Sequence, residues 1–303
     1  MSIAPVAQAA FDGDVDAVRA WLAAGGAVDE VCEHANELAP SLPFSEPLIH
    51  IAAHGPNASE VVSVLLDAGA RYEHRFLMSA VGLGNVETVQ VLLPRANVNE
   101  RFGYWTPLHW AAAGGYKNHR QFMPNQAEIV HLLLKAGASV NATAFPEGEA
   151  AGKTPLMSAA KHGFTVPEVT KRLLQYGADI SARDSNNRTA AFYANQLLQG
   201  SRVSPDPHSQ PPDEYDEPII WRAPGVVEDV LAILRGVQAH GSWKRYVAEP
   251  RKQLLVLRRL VERGRAAPPD GVLARLFPVS QVQGLPDVLF WKVLAFWRSS
   301  RDA

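Results

Sequence analysis

Three places in the sequence combine residue types and spacing that could support chemistry. Gly152-Lys153-Thr154 matches the end of a phosphate-binding loop, where backbone N–H groups, an ammonium and a hydroxyl converge on phosphate. Such a loop also needs a glycine at the position held by Glu147, and a strand leading into it. His50 and His54 are four apart, a spacing that can bring two imidazoles to one metal. No third ligand stands nearby in sequence, and a protein site needs three or four. Cys32 with His34 sets a thiol near a base, but nothing supplies the partner that would orient the base. Cys32 reads instead as a free surface thiol in a polar connecting loop. Asn57-Ala58-Ser59, Asn141-Ala142-Thr143 and Asn187-Arg188-Thr189 fit the glycosylation pattern, which has no use inside a cell. No catalytic, cofactor-binding or metal residues are assigned, and no cofactor is expected.

Composition narrows the alternatives. The chain has 303 residues, 47% hydrophobic and 20% charged, a globular balance. Its net charge of −2 hides an asymmetry: from Trp221 onward there are 14 basic and 7 acidic residues, leaving 15 basic and 24 acidic before it. An acidic front argues against a nucleic-acid partner, because phosphate binding needs clustered positive charge. One cysteine excludes an internal disulfide and fits a reducing compartment. The first residues lack a basic segment followed by an apolar run, and no apolar stretch approaches the roughly 20 residues that cross a bilayer. The expectation is an intracellular protein, cytoplasmic with the nucleus also compatible, and without a membrane partner. Arg258-Arg259 and neighbouring basic residues read as a solvated helix face.

The elements that carry these residues repeat. Thr106-Pro107-Leu108-His109-Trp110-Ala111-Ala112 has worn copies at Leu48–Ala53, Thr154–Ala160 and Thr189–Ala194. A second phrase, Leu133-Leu134-Lys135-Ala136-Gly137-Ala138, recurs at Leu65–Ala70 and Leu173–Ala178. Leu93 to Leu134 is 41 residues and Leu134 to Leu174 is 40. The two phrases resemble the ankyrin repeat, a β-turn and two antiparallel helices in about 33 residues, so each interval carries a short insertion. The surplus falls in Tyr116–Gln126 and Ala142–Ala151.

This predicts an all-α ankyrin solenoid with β-turn or hairpin loops over residues 1–240. Repeats are expected near 5–28, 45–71, 76–98, 103–140, 152–180 and 187–239. The last contains a disordered insertion at 199–218, rich in Pro, Asp and Ser, before an outer helix at Val226–Leu234. Thr106 suits an N-cap and Pro107 the first helical position. Gly137 suits the left-handed turn that ends an outer helix. His50 and His109 hold the family's turn-bracing position, and Gly-Lys-Thr-Pro-Leu is the ordinary start of a unit.

The resemblance also implies function: protein–protein recognition as a scaffold or adaptor, without catalysis. Partners of such arrays dock on the concave side, built from turn tips and inner helices. Here that side would carry Arg75, Phe102, Tyr104, Trp105, Trp110, Lys153, Ser158, Lys161 and Asp184. The aromatic group stands in a turn, where polar residues are usual, and large stiff rings dominate binding hot spots.

Residues 241–303 differ, forming a small helical module that caps the array or docks an adaptor. Helices are expected over Leu254–Arg263, Val272–Phe277 and Pro286–Trp297. An ankyrin array followed by a Leu-Arg-rich helix, a basic stretch and Leu285-Pro286 resembles ankyrin proteins with a SOCS box. That likeness implies a substrate receptor of a cullin-type ubiquitin ligase, whose adaptor partner would be a protein such as elongin C. The chain departs from that box where Arg258, four residues after Leu254, replaces a cysteine.

Overall fold

The computed structural model describes residues 5–33, 35–38, 42–55, 57–115, 125–145, 151–162, 167–202 and 224–249. The chain divides into two compact units, Met1–Arg235 and Gly236–Ala303. The first unit begins with α1 (Pro5–Asp12) and α2 (Val15–Ala23), followed by β1 (Val31–Glu33), the short α3 (Ala35–Leu38) and β2 (Ser45–Pro47). Helix pairs follow: α4 (Leu48–His54) with α5 (Ala58–Asp67), and α6 (His74–Leu83) with α7 (Val86–Leu92). Then come α8 (Pro107–Ala113) with α9 (Gln126–Lys135), α10 (Pro155–His162) with α11 (Pro167–Gln175), and finally α12 (Ala190–Arg202) and α13 (Pro224–His240).

Two layers result. The first helices of the pairs touch in the order α1, α4, α6, α8, α10 and α12, while α2, α5, α7, α9 and α11 stack as the second layer. Sequence explains the difference. The first layer buries small residues such as Ala52, Ala53, Ala80, Ala111, Ala112 and Ala159, which let helix axes approach closely. The second layer buries branched residues at helical spacing, for example Ile129, Val130, Leu133 and Leu134 on α9. Leu134 is buried between neighbouring pairs, so Leu134→Ala should cost about 2–5 kcal/mol through the cavity it leaves. A thermal melt reads this, and an unchanged midpoint would mean the register is wrong.

The turns are local. Thr106 caps α8, with Pro107 at the first helical position. Gly137 has φ +92°, and its N–H donates to the Leu134 carbonyl at 3.1 Å. The third pair ends differently, in a 3-10 turn at Leu93–Arg95 with Ala96 extended at φ −93°, so it needs no left-handed residue. Side-chain amides join successive turns. Asn99 Nδ2 donates to the Gly137 carbonyl at 3.0 Å, and its Oδ1 accepts from Ser139 N–H at 2.7 Å. Asn141 repeats this one pair later, on the Gly177 carbonyl at 3.3 Å and Asp179 N–H at 2.9 Å. Asp29 takes the corresponding place at the first seam and accepts from Arg71 N–H at 2.8 Å.

Two expectations need correction. Cys32 is not a surface thiol in a loop: it lies in β1, paired antiparallel with β2 opposite Glu46, and is only 3% exposed. Burial, with Glu30 nearby, pushes its thiol pKa up, against nucleophilic use. The start of the expected disordered insertion, residues 199–202, belongs to α12, because the apolar phrase before it propagates the helix to Arg202. Residues 203–218 lie outside the described ones, as does most of Tyr116–Gln126.

The segment 226–234 lies within α13, whose Val227, Val230, Leu231 and Leu234 are buried. Arg235 Nη2 donates to Asn195 Oδ1 on α12 at 3.2 Å. In the second unit, residues 243–249 are helical, and the Tyr246 ring packs on Gly236, where an added Cβ would fall 2.2 Å from it. The helices expected over Leu254–Arg263, Val272–Phe277 and Pro286–Trp297 lie outside the described residues. Among the described residues no helix is long and apolar enough to cross a membrane.

Candidate functional site

The turn before α8 is a tight hairpin. Phe102 N–H donates to the Trp105 carbonyl at 2.9 Å, and Gly103 at its tip has φ +61°. Phe102 and Tyr104 are each 51% exposed. Trp105 and Trp110 are half-buried, with the Trp105 ring edge-on to His109 at 5.5 Å. The next turn joins this one: Phe145 N–H donates to the Tyr104 carbonyl at 3.1 Å, and their rings meet edge-to-face at 6.3 Å. Phe145 is itself 44% exposed. Sequence reasoning missed Phe145, although an aromatic inside an otherwise small and polar insertion was the signal.

His109 braces this hairpin from inside. Its Nδ1 accepts from the Thr106 hydroxyl at 2.8 Å and from Thr106 N–H at 3.3 Å, while Nε2–H donates to the Lys153 carbonyl at 3.0 Å. Desolvation lowers its pKa to about 4, so the ring is neutral at pH 7. This bond also fixes the Gly152-Lys153-Thr154 stretch as a turn between repeats.

Arg75 is half-buried and committed to the protein. Its Nη1 donates to both oxygens of buried Glu46, at 2.8 and 2.7 Å, and its Nε to Glu73 at 2.8 Å. Glu46 in turn accepts from His50 Nδ1–H at 2.8 Å, and His50 Nε2 lies 2.9 Å from Ser79 Oγ. Ser79, His50 and Glu46 thus stand in the order of a hydrolytic triad. They are 4%, 5% and 1% exposed, and Ser79 sits inside α6, so no carbonyl substrate can reach the hydroxyl. The arrangement braces two adjacent pairs. Both His50 nitrogens are engaged within the protein, and His54 Nδ1 donates to the His50 carbonyl at 3.1 Å. Burial, aided by Arg75, lowers the His50 pKa to about 4. Glu46 was missed by sequence reasoning, though it lies one helical turn before His50.

Three expected surface residues are interior. Lys153 is 2% exposed, with its ammonium 5.3 Å from the Tyr193 ring centroid. Desolvation, then the Lys161 and Arg188 charges, lowers its pKa to about 8. Ser158 is fully buried and its hydroxyl returns to the Thr154 carbonyl at 3.2 Å. Asp184 is 6% exposed, accepting from the Tyr193 hydroxyl and from Arg188 Nε at 3.0 Å. Burial pushes its carboxyl up, but those hydrogen bonds outweigh it and hold the pKa low. Tyr193 of the next helix pair covers Lys153, Asp184 is enclosed by Arg188 and Tyr193 of its own turn and helix, and Ser158 lies inside the first layer. Lys161 is half-buried beside Lys153. What remains open is Phe102 and Tyr104, with Phe145 and the exposed Arg101 beside them.

Stacked helix pairs, with hairpins presenting exposed aromatics, define a repeat protein of the kind that binds other macromolecules. Family models for ankyrin repeats match residues 49–144 and 122–201, and the chain belongs to the ankyrin-repeat family. It is 30% identical over 159 residues to ankyrin repeat and SOCS box protein 6 of Mus musculus, and 29% identical to the Homo sapiens protein of that name. Each match covers 52% of this chain and 32% of the relative, so the chain spans about a third of the curated relatives it matches. The human ASB11 ankyrin repeat domain aligns with a TM-score of 0.48 and 25% identity, over 62% of this chain and 75% of that one.

Proposed function

We propose that this protein is a non-catalytic interaction scaffold or adaptor that binds a protein partner on the hairpin side of its ankyrin array. The observation that carries this reading is the pair of half-exposed rings, Phe102 and Tyr104, on a hairpin braced from inside by His109. Exposed aromatics are costly to leave in water and are the residue types that anchor interfaces. Holding them on a tight turn reduces the ordering cost of binding. Trp105 on the same hairpin and Trp110 on α8, both half-buried, complete the aromatic group.

A second reading is the substrate receptor of a cullin-type ubiquitin ligase, with 241–303 as the adaptor-docking module. The relatives named for a SOCS box favour it, together with Leu285-Pro286 late in the chain. Affinity capture from lysate with the full chain tests both. Phe102→Ala with Tyr104→Ala should reduce captured partners about tenfold or more, as loss of two hot-spot rings does. The thermal midpoint should stay within a degree or two. Elongin C captured equally by wild type and the double variant would support the receptor reading. Partners unaffected by the double variant would overturn the assignment of the site.

A further inference from the structure

Resting on the binding role of this rim, we propose that its partner segment carries a carboxylate beside an apolar side chain, the carboxylate on Arg101 and the apolar group against Tyr104 and Phe145. The Arg101 guanidinium lies over the Phe145 ring, 5.7 Å from its centroid, and the residue is exposed. Among the described residues no carboxylate lies within ion-pair distance of it. The adjacent Glu100 instead faces His74 Nδ1 at 4.0 Å. Four other arginines of the array do face carboxylates: Arg75 faces Glu46 and Glu73, Arg95 faces Asp67, Arg172 faces Glu168 and Arg188 faces Asp184. Arg101 is thus a cation set on an aromatic surface with no carboxylate against it among the described residues.

Stacking on a ring leaves the planar fork of a guanidinium able to take both oxygens of a carboxylate. It also holds the long side chain in place before binding, which lowers the ordering cost. The apolar half is equally fixed. Tyr104 and Phe145 are joined through the Phe145 N–H to Tyr104 carbonyl bond, and their edge-to-face rings leave about half of each accessible. Charge separates a peptide from the other polymer that stacks on aromatics. Residues before Trp221 carry 24 acidic against 15 basic side chains, a field that accepts one carboxylate on a local cation but repels a run of phosphates.

The test is panning of a displayed library of random peptides against the immobilised full chain. Enriched peptides should place Asp or Glu within one or two residues of an aliphatic or aromatic one. A synthetic copy should bind Arg101→Gln about tenfold or more weakly, while the variant melts with wild type. Arg101→Glu should instead select peptides with Lys or Arg at the acidic position. Enrichment without an acidic residue, or equal affinity for Arg101→Gln, overturns the proposal. If those peptides are still lost with Phe102→Ala and Tyr104→Ala, the binding role of the rim survives alone. A wild-type chain that holds no peptide overturns both. Tighter binding of a single-stranded oligonucleotide than of any selected peptide overturns the proposal in favour of nucleic acid.

Discussion

Gly115→Ala is expected to lower the unfolding free energy by about 2–5 kcal/mol, well beyond the effect of the same change at Gly137. Both glycines are left-handed, at φ +83° and +92°, so each alanine pays a backbone penalty of about 1–2 kcal/mol. Their surroundings differ. A Cβ at Gly137 meets nothing within 4 Å, whereas at Gly115 it falls 2.3 Å from the Gly82 carbonyl oxygen and 2.9 Å from Gln126 Nε2. The first of these contacts is backbone and cannot swing aside. The second belongs to a buried side chain whose amide donates to the Val81 carbonyl at 3.1 Å, linking α9 to the end of α6. Relieving the clash therefore separates two helix pairs, and such overpacking adds about 1–3 kcal/mol. Urea unfolding of the two variants side by side measures the difference. Equal losses would mean that α6 and α8 do not approach at this point.

Acid should unfold the array through two buried histidines. His50 and His109 both have pKa values near 4, against about 6.5 in an unfolded chain, with desolvation the leading cause. The folded rings stay neutral while the unfolded ones take up protons as the pH falls below about 6.5. Their stabilising contribution is full above that pH and is lost progressively as pH falls toward 4. For each ring, titrating near 4 in place of about 6.5 corresponds to about 3 kcal/mol by pH 4, at about 1.36 kcal/mol per tenfold change in proton affinity. Glu46 works in the opposite sense: burial raises its carboxyl pKa against the pull of Arg75, which offsets part of the His50 effect. Urea midpoints measured from pH 7.5 to 4 should therefore fall steeply below pH 6.5, and His109→Gln should flatten the slope. The two rings also differ in tautomer, Nδ1–H at His50 and Nε2–H at His109, which nitrogen NMR separates. A slope unchanged in His109→Gln would place the acid-sensitive group elsewhere.

The parts of this architecture that sequence reveals are those decided within a few residues. Thr106-Pro107-Leu108-His109 specifies a cap, a helix start and a brace, and each is where the phrase puts it. Gly137 is left-handed because an outer helix must end there. Contacts made by a neighbouring repeat are hidden. Lys153 is polar and looks like a surface residue until Tyr193 of the next pair covers it, and Asp184 does so until its own turn closes on it through Arg188 and Tyr193. Ser158 sits among buried alanines of the first layer, and its hydroxyl is tolerated only because it bonds back to its own helix. Cys32 is buried by a strand pairing whose partner begins 13 residues later, at Ser45, too distant for a local pattern to announce. The candidate site shows the same division. Phe102 and Tyr104 stand out as aromatics in a turn, but Arg101 and Phe145 join them only through contact between successive hairpins.

The amide clamps between turns set an order in which the stack can come apart. Asn99 and Asn141 each donate and accept across their seams, so two hydrogen bonds must break together there. Asp29 has no N–H to offer and supplies one bond to Arg71. In a stack whose units touch only their neighbours, each seam depends on its own fastenings, and the one held by Asp29 has the weaker of these. Local opening is therefore easier at the seam held by Asp29 than at the seam closed by Asn99. The same two Asn99 bonds tie the turn that leads into Phe102 and Tyr104 to the turn that leads into Phe145, so the aromatic rim is built across a doubly fastened seam and its two halves move together.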